Sequence, residues 1–285
     1  MFGHKWSRRD TYESEAWRAA MKDYYFRHYG DVENAPWWDD YGPTPKILDV
    51  GCGAGYTALE LLGSRLITAD YWGVDISSAY QVAATRFEER GLKGKFMQGD
   101  MTNLSLPEAE FDVILAEGVM HHTDNTEYAF KQVARHLKPG GRMLSYIYRK
   151  KGPIREFTDD YIRAQISDLP PEEAWAALAP ITQLGISLGE LNAEIDIPKP
   201  IDLLGIPAGK INVQRLFFWH VMKMYYRPEW TFEEMQHVNF DWFAPKNAYR
   251  HTQEEIEKWC MDCGLVIDHL DLEELAGYSI IARKP

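Results

Sequence analysis

The chain has 285 residues, a formal net charge of −12, and 45% apolar against 26% charged residues. That length allows one large domain, or one domain with a substantial insertion, around a buried core. The acidic balance speaks against a surface that tracks nucleic-acid phosphates, and no apolar run approaches the roughly 18–20 residues of a membrane span.

The N-terminus carries charge with no apolar stretch behind it, so a secretory signal is not expected. Three cysteines make no disulfide framework. Cys260 and Cys263 form a CxxC, but without a second pair for zinc and on a helical pattern rather than at a strand–helix junction. A cytoplasmic protein that acts as a monomer or homodimer, with no metal, is the expectation. Ten Trp, sixteen Tyr and twelve Phe make 13% of the chain, and many lie outside any regular core pattern, which suits the lining of a closed pocket.

Residues 10–29 have helical spacing, with Asp10 or Thr11 as cap and Gly30 as stop. Residues 1–45 thus form an arm or lid ahead of the first strand. From residue 46 strands and helices alternate: strands at 47–50, 69–76, 95–98, 111–116 and 142–148, with helices between. Asp124 is expected to cap a helix that Pro139-Gly140-Gly141 stops. This rhythm predicts a doubly wound parallel sheet over 46–149.

The rhythm breaks over 150–245, where helical pieces at 157–166, 171–179 and 213–225 are separated by Pro198, Pro200 and Pro207. About ninety residues is too long for a passive loop, and a helical, aromatic-rich cap is expected there. Residues 246–285 add a helix capped by Thr252 with Glu255 and two strands, at 265–270 and 278–282.

The strand at 47–50 ends in Asp49 and then Gly51, Gly53 and Gly55. Closely spaced glycines at a strand end, where a helix starts, let the backbone approach a ligand. The spacing GxGxG lacks the third glycine of the dinucleotide fingerprint, and no Gly-Lys-Ser/Thr follows, so phosphate-loop hydrolysis is excluded. The next strand ends in Asp75, about 24 residues past the first glycine, a position from which a carboxylate accepts ribose hydroxyls. The third strand ends at Gly99-Asp100-Met101, a carboxylate and an apolar residue matched to an adenine. The fourth ends in Glu117-Gly118 and leads into His121-His122, and Lys138-Pro139-Gly140-Gly141 introduces the fifth.

Taken in order, these five pieces resemble the class I S-adenosylmethionine-dependent methyltransferases. The resemblance runs over 46–148 and resumes at 249–285. It implies a Rossmann-like, doubly wound seven-stranded sheet whose last strand is antiparallel, with a helical cap insertion. It also implies S-adenosyl-L-methionine as cofactor, leaving as S-adenosyl-L-homocysteine. Asp49, Gly51, Gly53 and Gly55 would surround the methionine moiety. Asp75 would hold the ribose, with Ile76 against the adenine. Asp100 would take the adenine amino group and Met101 would stack on the ring. Glu117 and Gly118 would border the sulfur.

Methyl transfer from a sulfonium needs alignment and exclusion of water. Where the acceptor must lose a proton, His121 or His122 is the natural base. Tyr148, Arg149 and Arg155, with Trp219, Trp242, Tyr249, Arg250 and His251, are candidate acceptor contacts, suited to a small organic molecule with a hydroxyl or anionic group. The expected activity is O- or N-methylation of such a molecule, with no nucleic-acid or membrane partner. The alternatives are a protein or nucleic-acid acceptor, and a non-catalytic S-adenosylmethionine-binding module. A nicotinamide dehydrogenase is disfavoured by the missing third glycine and by Gly99-Asp100. The Asn/Asp-Pro-Pro-Tyr/Phe sequence of amino-directed nucleic-acid enzymes is absent after the fourth strand.

Overall fold

The computed structural model describes residues 2–273 and 275–285, with the backbone alone at Phe2. In chain order come α1 (Phe2–Ser7), α2 (Glu15–Tyr29), β1 (Lys46–Val50), α3 (Tyr56–Leu62), β2 (Asp70–Asp75), α4 (Ala79–Glu89), β3 (Lys95–Gln98), β4 (Phe111–Glu117), α5 (Thr126–Ala134) and β5 (Leu137–Tyr148). A largely helical stretch follows, with α6 (Pro153–Ile166), α7 (Pro171–Leu191), β6 (Glu194–Ile197), β7 (Gly209–Asn212), α8 (Val213–His220) and α9 (Phe232–Phe243). The chain closes with α10 (Gln253–Asp262), β8 (Val266–Leu270) and β9 (Gly277–Arg283).

Two compact units result. One is helical and takes residues 3–19 and 150–248; the other is the α/β unit of residues 20–149 and 249–285.

In the α/β unit seven strands run in the order β3-β2-β1-β4-β5-β9-β8. The first five pair in parallel, and β9 is antiparallel to both neighbours. This is the doubly wound sheet with its antiparallel strand that the alternation and the resemblance imply. Strand order reverses between β1 and β4, so the carboxyl ends of β1, β2 and β4 border the crevice where such sheets take ligands. Leu48, Val50, Ile114, Ala116 and Ile147 from the central strands are buried with Phe130, Val133, Ile256 and Trp259 from α5 and α10. Covered on both faces, these strands are continuous apolar runs rather than alternating ones.

Several boundaries differ from expectation. The first long helix starts at Glu15, not Asp10: the Tyr12 hydroxyl reaches the Trp6 carbonyl at 2.6 Å and residues 9–11 make a separate turn, leaving Ser14 to accept the Trp17 amide. Asn125, not Asp124, caps α5, accepting the Tyr128 amide at 2.9 Å. That helix ends at Ala134, before the Pro-Gly-Gly, because β5 already begins at Leu137 opposite Phe111 and the register shifts before Val113 pairs with Arg142. Gly140 and Gly141 serve this irregularity: Gly140 has φ +81°, and a Cβ on Gly141 would lie 2.9 Å from the Asp112 carbonyl oxygen.

The helical unit contains a two-stranded ladder, β6 with β7, where only helices are expected. Pro198, Pro200 and Pro207 all fall in its connection, outside the strands, where a missing N–H breaks no ladder bond. α7 continues through Pro180 to Leu191, and Gly185 and Gly189 on its second half admit Met224 and the Tyr226 ring against the backbone. α8 stops at His220 rather than Tyr225, and α9 was not expected at all. α9 carries its own signature, a capping box of Thr231 with Glu234. The predicted box of Thr252 with Glu255 is present on α10. Among the described residues, no helix is long and apolar enough to cross a membrane.

Candidate active site

Three carboxylates end the central strands of the α/β unit. Asp49 is buried on β1 and accepts a 2.6 Å hydrogen bond from the Tyr71 hydroxyl. Burial pushes its carboxyl up to about 7; the Tyr71 bond opposes the rise and the nearby charge of Asp75 adds to it. Asp75, buried at the end of β2, accepts the Gly53 amide at 2.9 Å on one oxygen and the Ser77 amide at 2.8 Å on the other. Glu117 ends β4, half-buried, and accepts from the Tyr29 hydroxyl at the end of α2. Burial again raises its carboxyl to about 7, against the Tyr29 bond and the charge of His28 and with the help of Asp49.

The glycine turn between β1 and α3 has positive φ at Gly51, Gly53 and Gly55 (+70°, +51° and +70°). The amides of Gly51 and Cys52 both point at the Val74 carbonyl, at 2.7 and 3.0 Å, which folds the turn over β2. The reasons for the glycines differ. A Cβ on Gly51 would lie 2.5 Å from a Val119 methyl, and one on Gly55 would lie 3.2 Å from Ala83 and Phe87. Both therefore admit the protein's own side chains, and Gly53 is the member whose amide is held by Asp75.

The remaining cofactor candidates sit at the same sheet edge. Ile76 is 58% exposed beyond Asp75. Asp100 is exposed past β3, with one oxygen accepting the Thr102 amide and hydroxyl at 2.8 and 2.7 Å. Met101 packs on the rim of the sheet's core. Gly118 follows Glu117 with φ +70°.

His121 and His122 lie on the 3-10 turn Met120–His122. The His121 ring is fully buried and stacked on Tyr148, with centroids 3.5 Å apart. Its Nδ1 accepts the Tyr148 amide at 3.4 Å, which leaves the ring proton on Nε2. The His121 carbonyl accepts the Tyr249 amide at 2.9 Å, and the Tyr148 carbonyl accepts the His251 amide at 2.9 Å. Four acceptor candidates or candidate bases are thus joined by backbone bonds. Arg149 is tied elsewhere, donating to the Leu272 carbonyl at 3.0 Å. Arg250 is half-buried between Tyr249 and His251 in the chain.

Arg155, Trp219 and Trp242 belong to the helical unit. The buried Arg155 guanidinium donates to Asp159 at 2.5 Å and to the Phe218 carbonyl, while the Trp242 indole donates to the same Asp159 at 2.8 Å. Both side chains are occupied in holding that unit together. Trp219 is half-buried, its ring 4.7 Å from Phe218.

Sequence reasoning passed over Tyr29 and Tyr71, the two hydroxyls that serve the buried carboxylates. Tyr71 lies on β2, the strand paired with β1; the parallel register sets it against Ile47, on the same face as Asp49, and only this pairing brings its hydroxyl to that carboxylate. Tyr29 had no local signal, since its partner lies 88 positions away.

The donor set suits a cationic, hydroxyl-bearing ligand. Asp49 and Glu117 are raised towards neutrality by burial, and a positive group beside them would favour their charged forms. Asp75 and Asp100 offer further acceptors along one edge. A sulfonium, an α-amino group, a ribose diol and an adenine amine are groups that such an edge fits.

Residues 47–141 match the family model described as "Methyltransferase domain". This match, over the part of the α/β core that carries the glycine turn and the strand-end carboxylates, supports a class I S-adenosylmethionine-dependent methyltransferase with S-adenosylmethionine as its cofactor. Among curated relatives, sterol 24-C-methyltransferase of Aspergillus fumigatus is 38% identical over 100 residues, 34% of this chain and 26% of the relative. Phosphoethanolamine N-methyltransferase 1 of Zea mays is 32% identical over 145 residues, 48% of this chain and 27% of the relative. An uncharacterized methyltransferase of Bacillus subtilis is 35% identical over 101 residues, 35% of this chain and 39% of the relative. The chain thus spans from about a quarter to two-fifths of the length of these relatives. In fold it is similar to a chain of the complex between the Haloferax volcanii Trm112 methyltransferase activator and a methyltransferase, with TM-score 0.50, 12% identity, and coverage of 100% of this chain and 97% of that one.

Proposed function

We propose that the whole chain transfers a methyl group from S-adenosylmethionine to a heteroatom, oxygen or nitrogen, of a small organic acceptor. The observation that carries this reading is the coincidence of the methyltransferase match over 47–141 with a sheet edge of strand-end carboxylates, the buried Asp49 and Asp75 and the half-buried Glu117.

S-adenosylmethionine, when bound, supplies an electrophilic methyl group on a sulfonium. The residues of this chain bind, orient and shield. Asp75 accepts from the ribose while steadying the Gly53 amide. Asp49 and Glu117 would serve the cationic end, Gly118 would border the sulfur, and Ile76, Met101 and Asp100 would hold the adenine. His121 is a positioning residue, because its Nδ1 is taken by Tyr148. His122, half-buried on the same turn, is the candidate base for an acceptor that must lose a proton.

A small acceptor is favoured over nucleic acid by the net charge of −12. Sterol and phosphoethanolamine are substrates named for relatives that share only the core, so neither is carried over. The test is to incubate the protein with methyl-labelled S-adenosylmethionine and fractionated metabolite extract. Label appearing in a small acidic or hydroxylated compound supports the reading, whereas label in protein or nucleic acid alone would replace it.

A further inference from the structure

The helical unit contains an ammonium, that of Lys223, whose backbone the fold fixes and which makes no ion pair among the described residues. Lys223 lies between α8 and α9, and its backbone is fixed by buried polar side chains. Its amide donates to Asp159 at 3.0 Å, and the next two residues are held by Gln214, which donates to the Met224 carbonyl at 2.8 Å, and by Asn239, which accepts the Tyr225 amide at 2.9 Å. Gln214, Asn239 and Asp159 are each no more than 1% exposed. Gly185 on α7 brings the backbone of that helix against Met224, 3.2 Å from where a Cβ would stand.

The side chain so placed extends over Trp242, with Nζ 4.7 Å from the ring centroid. Among the described residues it makes no hydrogen bond or ion pair. The two carboxylates whose charge acts on it are engaged elsewhere: Asp159 accepts from the Arg155 guanidinium, the Trp242 indole and the Lys223 amide. Asp241 pairs with Lys5. Lys151 and Arg155 add positive charge on the same ring, with Lys151 Nζ 5.4 Å and the Arg155 guanidinium 5.3 Å from its centroid.

Lys223 is only half-buried by solvent access, yet loss of hydration is the first cause lowering its ammonium to about 8. Asp241 and Asp159 pull upward, and Arg155 and Lys5 push further down. Lys151 is depressed as well, by burial first and then by Arg155 and Lys223, against Glu156 and Asp159. Desolvating an ammonium beside further cations costs stability unless something anionic arrives.

We propose that the helical unit binds a compact oxyanion, a carboxylate or a phosphate, at the Lys223 ammonium beside Trp242. Lys223 supplies the charge, Lys151 adds to the field, and Arg155 with Asp159 holds the indole in place.

The test uses the full chain carrying ε-13C lysine, titrated near neutral pH with benzoate and, separately, with inorganic phosphate. The Lys223 signal is assigned by its absence in Lys223→Met. A saturable shift of that signal is expected with at least one probe, and which probe it is tells a carboxylate from a phosphate. Lys223→Met should weaken binding of the effective probe about ten- to a hundredfold, as for one lost charge-assisted contact. It should also leave the thermal midpoint unchanged or higher, because a desolvated charge is gone. The inference is overturned if neither probe moves the Lys223 signal saturably, or if Lys223→Met lowers the midpoint and leaves probe affinity intact. S-adenosylmethionine is titrated in parallel: failure of the wild type to bind it refutes the methyltransferase reading, while the benzoate and phosphate results still decide the anion site.

Discussion

The Tyr29 hydroxyl, at the end of α2, donates to the Glu117 carboxylate at the end of β4 across 88 positions of sequence. This bond stabilises the ionised form of a carboxylate that burial otherwise pushes towards the neutral acid. Tyr29→Phe should therefore raise the Glu117 pKa above its present value near 7. It should also cost about 1–2 kcal/mol of stability, as for one buried bond to a charged group. Chemical denaturation and a pH series of S-adenosylmethionine binding check both; an unshifted pH dependence would show that Tyr29 does not govern Glu117.

The pH dependence of the unliganded fold follows from the same two carboxylates. Asp49 and Glu117 have folded values near 7, above their ordinary values of 3.8 and 4.5. In the window between, the native state binds more protons than the unfolded chain. Their contribution is fully present below the ordinary values and is lost as pH rises towards 7. Denaturant midpoints should accordingly fall between about pH 4 and 7 from this source, and Asp49→Asn should flatten part of that slope.

Asp75→Ala removes an acceptor for a ribose and also frees the Gly53 amide that the carboxylate holds at 2.9 Å. Affinity for S-adenosylmethionine should drop by about 1–3 kcal/mol, roughly ten- to a hundredfold. Unchanged affinity by calorimetry would show that the ribose is held elsewhere.

Gly51→Ala introduces two faults at once, a side chain at φ +70° and a Cβ 2.5 Å from a Val119 methyl. A loss of about 1–3 kcal/mol is expected. Adding Val119→Ala should recover the steric part and leave the backbone part. If the double variant is no more stable than Gly51→Ala alone, the packing account of this glycine is wrong.

His121→Gln should lower stability, because the ring is fully buried against Tyr148, yet the pH profile of turnover should keep its shape. His122→Gln is the variant that should alter the profile if the acceptor must lose a proton. A profile changed by His121→Gln and untouched by His122→Gln would reverse the two assignments.

The α/β unit was legible in the sequence because its information is local. Strand ends carry Asp49, Asp75, Asp100 and Glu117, glycines mark the turn, and apolar runs mark strands buried on both faces. The reasons for Gly51 and Gly55 were less legible, since Val119 and Ala83 meet them only through the tertiary fold. The helical unit is less legible. The capping pair Thr231 and Glu234 marks the start of α9, while its aromatic run is equally compatible with an acceptor pocket. The prolines of the β6–β7 connection looked like helix breaks. Arg155 and Trp242 looked like free acceptor contacts because nothing in the sequence shows that Asp159 takes both. Lys223 lies in an irregular segment with no periodicity to single it out.

Calorimetry of S-adenosylmethionine binding near pH 7, in two buffers of different ionisation enthalpy, tests most directly whether the strand-end carboxylates of the α/β core receive its cationic end. Binding with release of protons is expected, as Asp49 and Glu117 give up the ones that desolvation keeps on them. Binding with no proton release, or no binding at all, would contradict it.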